Sequence, residues 1–112
     1  MKYAVMKKEL SCFFCVSFWQ QARGMMFRSI VVPLAFPLKK ARKLFLHSFF
    51  CPVPIDLVLL TYRGKVIELK ESWQTKFYCS REKANVLLEL PSGSIKNRNI
   101  KVGDMLNIIK RV

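Results

Sequence analysis

The sequence predicts a β-dominated α+β fold: a compact barrel-like or strongly twisted, mostly antiparallel sheet with two short helices. Three observations carry this. Short apolar runs alternate with polar residues at a period of two, as in Ala84 to Leu90. Turn-forming residues punctuate the chain between them, at Pro52 and Pro54, Arg63-Gly64, Pro91-Ser92-Gly93 and Gly103-Asp104. The chain has 112 residues, 52% of them hydrophobic, which suits one domain with a real core over 1–112 and leaves no room for a second.

Taken in order, Lys8 to Val16 reads as a strand ending at Ser17. Ser17-Phe18-Trp19-Gln20 has the form of a capping box, in which the serine hydroxyl accepts from the third helical N–H and the glutamine reaches back. Gly24 suits the left-handed residue that closes a helix, so the first helix runs from Phe18 to Arg23. Val31 to Phe36 is extended but broken, with Pro33 inside it and Pro37 beside it. Leu38 to Lys43, with four basic residues, reads as a solvated turn before a strand from Leu44 to Phe50. Ile55 to Thr61 is apolar at nearly every position, as a central strand buried on both faces would be. Arg63-Gly64 turns it into a partner strand from Lys65 to Glu71. Ala84 to Leu90 sets Val86, Leu88 and Leu90 against Asn85, Leu87 and Glu89 on the other face. Pro91-Ser92-Gly93 opens a second short helix that stops at Asn99, and Gly103-Asp104 leads into a last strand from Met105 to Lys110.

Lys and Arg number 20 against 7 Asp and Glu, a formal charge of +13, which favours an acidic partner. The apolar stretch from Ser11 to Trp19 follows Lys7 and Lys8 but ends in Gln20, Gln21 and Arg23, without the small-residue cleavage site of a signal peptide. It also falls short of the ~20 apolar residues of a membrane span. A cytoplasmic monomer is the expectation. Cys12 and Cys15 have the spacing of a zinc half-site or a redox pair, and Cys51 and Cys79 could complete four ligands. On a strand, however, positions 12 and 15 face opposite ways, and two adjacent Phe make a poor turn. The cysteines therefore read as buried thiols acting as small hydrophobes; a disulfide stays open. No metal and no cofactor is expected.

Four segments occur in this order: Gly24-Met25-Met26-Phe27-Arg28, Pro54-Ile55-Asp56, Leu88-Glu89-Leu90-Pro91-Ser92-Gly93 and Ile100-Lys101-Val102-Gly103-Asp104. Together they resemble the DUF192 family (domain of unknown function 192, also catalogued as uncharacterised protein family UPF0127), from about Cys12 to the end. Many bacterial relatives carry Trp, Met, Lys and Asn in succession before the Pro-x-Asp motif. Here those positions read His47-Ser48-Phe49-Phe50, which looks more like the archaeal branch. The resemblance implies a compact β-dominated fold without an assigned activity.

Within the motifs, Arg28 and Asp56 stand beside apolar runs, where an unpaired charge is costly. The expectation is that they pair, or hydrogen-bond backbone groups, across the first helix and the central strand. His47 is the only histidine. With Arg28 and Asp56 it is a candidate pocket for a small enzyme, but no Gly-x-Ser-x-Gly turn, phosphate loop or carboxylate pair supports a reaction. Lys39, Lys40, Arg42 and Lys43 are the candidate nucleic-acid contacts, with Phe45, Phe49, Phe50, Tyr62, Phe77 and Tyr78 as the aromatics available, most of them expected in the core. Three readings follow: a non-catalytic binding or accessory domain, a basic RNA- or DNA-binding protein, and a small enzyme around Arg28, His47 and Asp56.

Overall fold

Among the described residues, six strands form one curled sheet, in the order β5-β4-β7-β2-β1-β8, and two more form a separate ribbon, β3-β6. The computed structural model describes residues 8–15, 32–47, 53–74 and 77–111. The strands are β1 (Lys8–Phe14), β2 (Leu34–Arg42), β3 (Phe45–His47), β4 (Ile55–Leu60), β5 (Val66–Trp73), β6 (Phe77–Cys79), β7 (Ala84–Pro91) and β8 (Leu106–Lys110); one helix, α1 (Ser94–Asn97), lies between β7 and β8. The sheet is mixed. β1 runs parallel to β2 and to β8, while β4 pairs antiparallel with β5 and β7, and β7 with β2.

β4 is the centre, as its unbroken apolar sequence requires: all six of its residues are buried. Alternation sends its side chains into two apolar layers. Val58 and Leu60 join Leu10, Cys12, Ala35, Leu88, Leu90, Ile95 and Leu106 on one face. Ile55, Leu57 and Leu59 join Cys15, Leu34, Phe36, Leu87 and Trp73 on the other. The first layer draws residues from both outer strands, β5 and β8, because the sheet curls until they approach. Gly64 closes that approach. It has φ of 93°, its carbonyl accepts from Leu106 N–H at 2.8 Å, and a Cβ there would stand 2.3 Å from the Leu106 carbonyl oxygen.

Leu38 to Lys43 is not a free turn. β2 continues through Arg42, which pairs with Ala84, and the register shifts between Pro37 and Arg42 so that Leu38 to Ala41 arch out of the ladder. Pro37 lacks the N–H for regular pairing, and the cationic run at the arch keeps its side chains in water. β6 is a strand that the sequence reading missed. Cys79 is exposed rather than buried, because on β6 it shares the outer face with Phe77; Cys12 and Cys15 are buried, one in each apolar layer. The expected first helix (18–23), Arg28 and Cys51 lie outside the described residues. No helix among those described is long and apolar enough to cross a membrane.

Candidate functional site

The two ends of β4 do different work. At its start, Asp56 has no exposed surface, and both carboxylate oxygens accept from backbone: Oδ1 from Ser72 N–H at 2.8 Å and Oδ2 from Ile95 N–H at 2.9 Å. Each bond answers a local need. The β4–β5 register slips by one residue between Ile55 and Leu57, so Glu71 and Ser72 together oppose Asp56. Ser72 takes φ of 47° there, and the bulge turns its amide away from the ladder. α1 begins at Gly93, which has no side chain to cap the first free amides; the Asp56 carboxylate supplies the missing acceptor from another strand. Asp56 thus hydrogen-bonds backbone groups that join β4, β5 and α1. His47 sits on the ribbon, exposed, on a different sheet from Asp56. A cavity of about 310 Å³ lined by Lys8, Leu10, Arg98 and Leu106 includes neither residue. Nor does the cleft beside Glu68, Tyr78 and Arg81.

The other end of β4 collects charge. Leu60 pairs with Val86, and Pro37 pairs with Val86 from the opposite side, so the end of β4, the start of β7 and the arch of β2 lie together. Tyr62 and Arg63 fill the turn after β4, and Tyr62 N–H donates to Asn85 Oδ1 at 3.0 Å, which fastens that turn to β7. Lys39 and Lys40 on the arch and Arg42 and Lys43 just after it are all exposed, as are Arg81 and Lys83 on the approach to β7. Residues dispersed in sequence therefore meet at one end of the sheet. Glu82 is the one exposed acid on the segment from Ser80 to Lys83.

The β3-β6 ribbon extends from this corner. Its inner face, Leu46 and Tyr78, packs on the Trp73 layer, with the Tyr78 and Trp73 rings edge to face at 6.3 Å. Ser80 anchors its base: Ser80 Oγ accepts from Leu44 N–H at 2.7 Å and donates to the Glu82 carbonyl at 2.9 Å. Glu68, reaching from β5, accepts from the amides of Arg81 and Glu82 at 2.8 and 2.9 Å and from the Tyr78 hydroxyl. Burial, and then the Glu68 carboxylate as acceptor and nearby charge, hold the Tyr78 hydroxyl well above the usual phenol range. On the outer face the register places Phe45 opposite Cys79 and His47 opposite Phe77. Phe45 is 67% exposed and Phe77 50%, and their rings stack at 5.3 Å with 23° between planes.

Tyr62, at 82%, is more exposed still, so three of the six aromatics expected mostly in the core face solvent; Phe49 and Phe50 lie outside the described residues. The signal was present in Phe77-Tyr78-Cys79, a short β-prone run between polar residues. With only three residues it gave no period to read. Among the described residues, no group of three or more His, Cys, Asp and Glu is placed to hold a metal ion.

Comparison with known proteins fits this architecture. The DUF192 family model, described as "Uncharacterized ACR", matches residues 3–108. A UPF0127 protein of Pyrococcus furiosus is 28% identical over 95 residues, covering 83% of this chain and 82% of its own. UPF0127 proteins of Thermococcus sibiricus and Thermococcus gammatolerans are 29% and 26% identical over 94 residues. Each of those alignments covers 81% of this chain, which spans only 61% of either relative's length. Two bacterial crystal structures share the fold. A candidate transcription regulator from Sinorhizobium meliloti has a TM-score of 0.76 and 21% identity over 82% of this chain and 76% of its own. A protein of unknown function from Novosphingobium aromaticivorans has a TM-score of 0.74 and 17% identity over 82% and 70%. The match over nearly the whole sequence, with archaeal relatives alongside it, shows that the chain belongs to the DUF192 family of uncharacterised proteins.

Proposed function

We propose that the chain is a non-catalytic binding domain for nucleic acid, held through its phosphates at the basic end of the sheet. The observation that carries this is the placement of Lys39, Lys40, Arg42 and Lys43 at the same end of the sheet as Arg63, Arg81 and Lys83, which lie on the segments flanking β4 and β7. Cations gathered at one end of a sheet release condensed counterions when they meet a phosphate backbone, so they favour a polyanion over a small ligand. The description of the Sinorhizobium structure as a candidate transcription regulator agrees with a nucleic-acid partner. A cytoplasmic location and a monomeric state belong to the same reading.

An enzyme built on Arg28, His47 and Asp56 is the less favoured reading. Both oxygens of Asp56 are engaged by backbone amides, which leaves the carboxylate occupied as a structural acceptor. The test is a titration of fluorescently labelled mixed-sequence DNA and RNA across salt, comparing the natural chain with a variant in which Lys39, Lys40, Arg42 and Lys43 are replaced by Gln. Four lost phosphate contacts would flatten the slope of log K against log salt by up to about 3 for a single strand. Binding whose salt slope is unchanged in the variant would overturn the assignment of the site.

A further inference from the structure

We infer that the outer face of the β3-β6 ribbon is a stacking platform for unpaired bases, which makes the preferred ligand single-stranded nucleic acid. The inference rests on the nucleic-acid reading above and names the form of the ligand. Its basis is the ribbon rather than the charge. Phe45 and Phe77 lie on the solvent side of two paired strands, stacked on each other, while Leu46 and Tyr78 on the opposite side tie the ribbon to the core. Phe45 and Phe77 keep 67% and 50% of their surface exposed there, apolar area that a flat partner would bury.

The immediate neighbours say what covers the rings. The chain enters the ribbon from Arg42 and Lys43 and leaves it through Arg81, Glu82 and Lys83, all exposed, so the end of the ribbon at Phe45 and Cys79 adjoins four cations and one acid. An apolar protein partner would meet that charged end as a desolvation cost. A polynucleotide meets it with phosphates, while its bases offer flat faces to the rings. In a duplex those faces are already stacked on one another, so only a single strand, a loop or a frayed end presents them. The Glu68 and Ser80 hydrogen bonds hold the ribbon in one position relative to the basic arch, which spares the complex the cost of ordering it.

The experiment measures binding of oligo(dT) and oligo(U) of about 20 nucleotides, and of a duplex of similar length, longer than the sites of most single-strand binders. It uses the full chain, a Phe45→Leu/Phe77→Leu variant that keeps apolar bulk without the aromatic face, and a Phe45→Tyr/Phe77→Tyr variant that keeps the face. The Leu variant should bind the single strands roughly fivefold or more weakly, the loss expected for one base stack, with the salt slope unchanged. Its duplex binding should stay within about twofold of the natural chain, and the Tyr variant should restore single-strand binding. Thermal melting of each variant checks that the ribbon is kept. Single-strand affinity equal to the natural chain in the Leu variant, or an equal loss on single strand and duplex, overturns the platform and leaves the basic site standing. Absence of binding to any of the probes at low salt overturns the nucleic-acid reading itself, and the platform with it.

Discussion

Replacing Asp56 by Asn changes the net charge by one unit and almost nothing in shape, so it isolates what the carboxylate does. As a carboxylate, Asp56 accepts from Ser72 N–H at 2.8 Å and from Ile95 N–H at 2.9 Å within a site that has no exposed surface. An Asn side chain can present its oxygen to one of these donors, but its NH₂ group then faces the other. One charge-assisted bond is lost and one amide is left opposed by a donor. Hydrogen bonds to charged groups contribute about 1.5–3 kcal/mol, and an unsatisfied buried donor costs about 1–3 kcal/mol. Relief from burying a charge offsets part of this, so the expected net loss is about 2–3 kcal/mol. At the usual entropy of unfolding per residue, that lowers the melting temperature by about 8–13 °C for a chain of this length. Urea unfolding followed by circular dichroism should show a lower midpoint with an unchanged slope, since the surface exposed on unfolding is the same. Hydrogen exchange adds a local readout: the Ser72 and Ile95 amides should lose protection before those of Val58 and Leu88 do. A loss below about 0.5 kcal/mol, within the usual range for surface substitutions, would refute the reasoning.

Three further outcomes follow from other parts of the fold. Gly64→Ala puts a methyl 2.3 Å from the Leu106 carbonyl oxygen at a φ of 93°, so it should cost about 2 kcal/mol or more and loosen the β5–β8 approach, read as a lower urea midpoint. Asp104 accepts from Lys8 Nζ at 2.8 Å and from Lys101 N–H at 2.9 Å, and the Lys8 bond first, then the backbone bond, holds its carboxyl below the usual carboxylate range. A depressed folded value contributes stability above the unfolded value of 3.8 that is lost as pH falls through the folded one. Asp104→Asn should therefore flatten the acid limb of a stability–pH profile by under about 1 kcal/mol, as screening leaves an exposed pair, and leave neutral-to-alkaline behaviour unchanged in shape. Finally, burial pushes the Cys12 thiol up to about 11 against the lowering pull of Arg111 and Arg98, whereas Cys79 is exposed. Iodoacetamide at pH 8 should label Cys79 well before Cys12 in the folded protein, with the rates converging in denaturant, as mass spectrometry of peptides would show.

Much of the fold was legible because local chemistry and tertiary demand agree. Ile55 to Leu60 reads as a strand buried on both sides and is one, and Gly64, Asn99 and Gly103 mark turns where φ is positive. The period of two in β7 placed Leu88 and Leu90 in one layer and Leu87 in the other. The arch of β2 was misread because a run of cations beside two prolines has the composition of a turn, and only pairing with Ala84 across the sheet keeps it a strand. β6 was missed because a three-residue strand has its stability in its partner, not in itself.

The sites divide in the same way. A buried acid beside apolar residues announces a hydrogen-bonding duty, so Asp56 could be singled out in advance, although its partners, one at a bulge and one at a helix start, are set by topology. The grouping of Arg63, Arg81 and Lys83 with the Lys39–Lys43 arch could not be read, because it depends on which strands neighbour one another. Exposure of Phe45 and Phe77 depends on which face of a short ribbon turns inward, and nothing in three residues decides that.

The most direct test of the central claim maps where nucleic acid touches the chain. Amide chemical shifts followed during titration with oligo(dT) should move at Lys39–Lys43, Phe45, Tyr62 and Phe77–Lys83, while those of Asp56, Ile95 and Leu106 stay in place. Perturbation centred instead on Ser94–Lys101 and the Lys8–Asp104 corner, with the β2 arch unmoved, would contradict it.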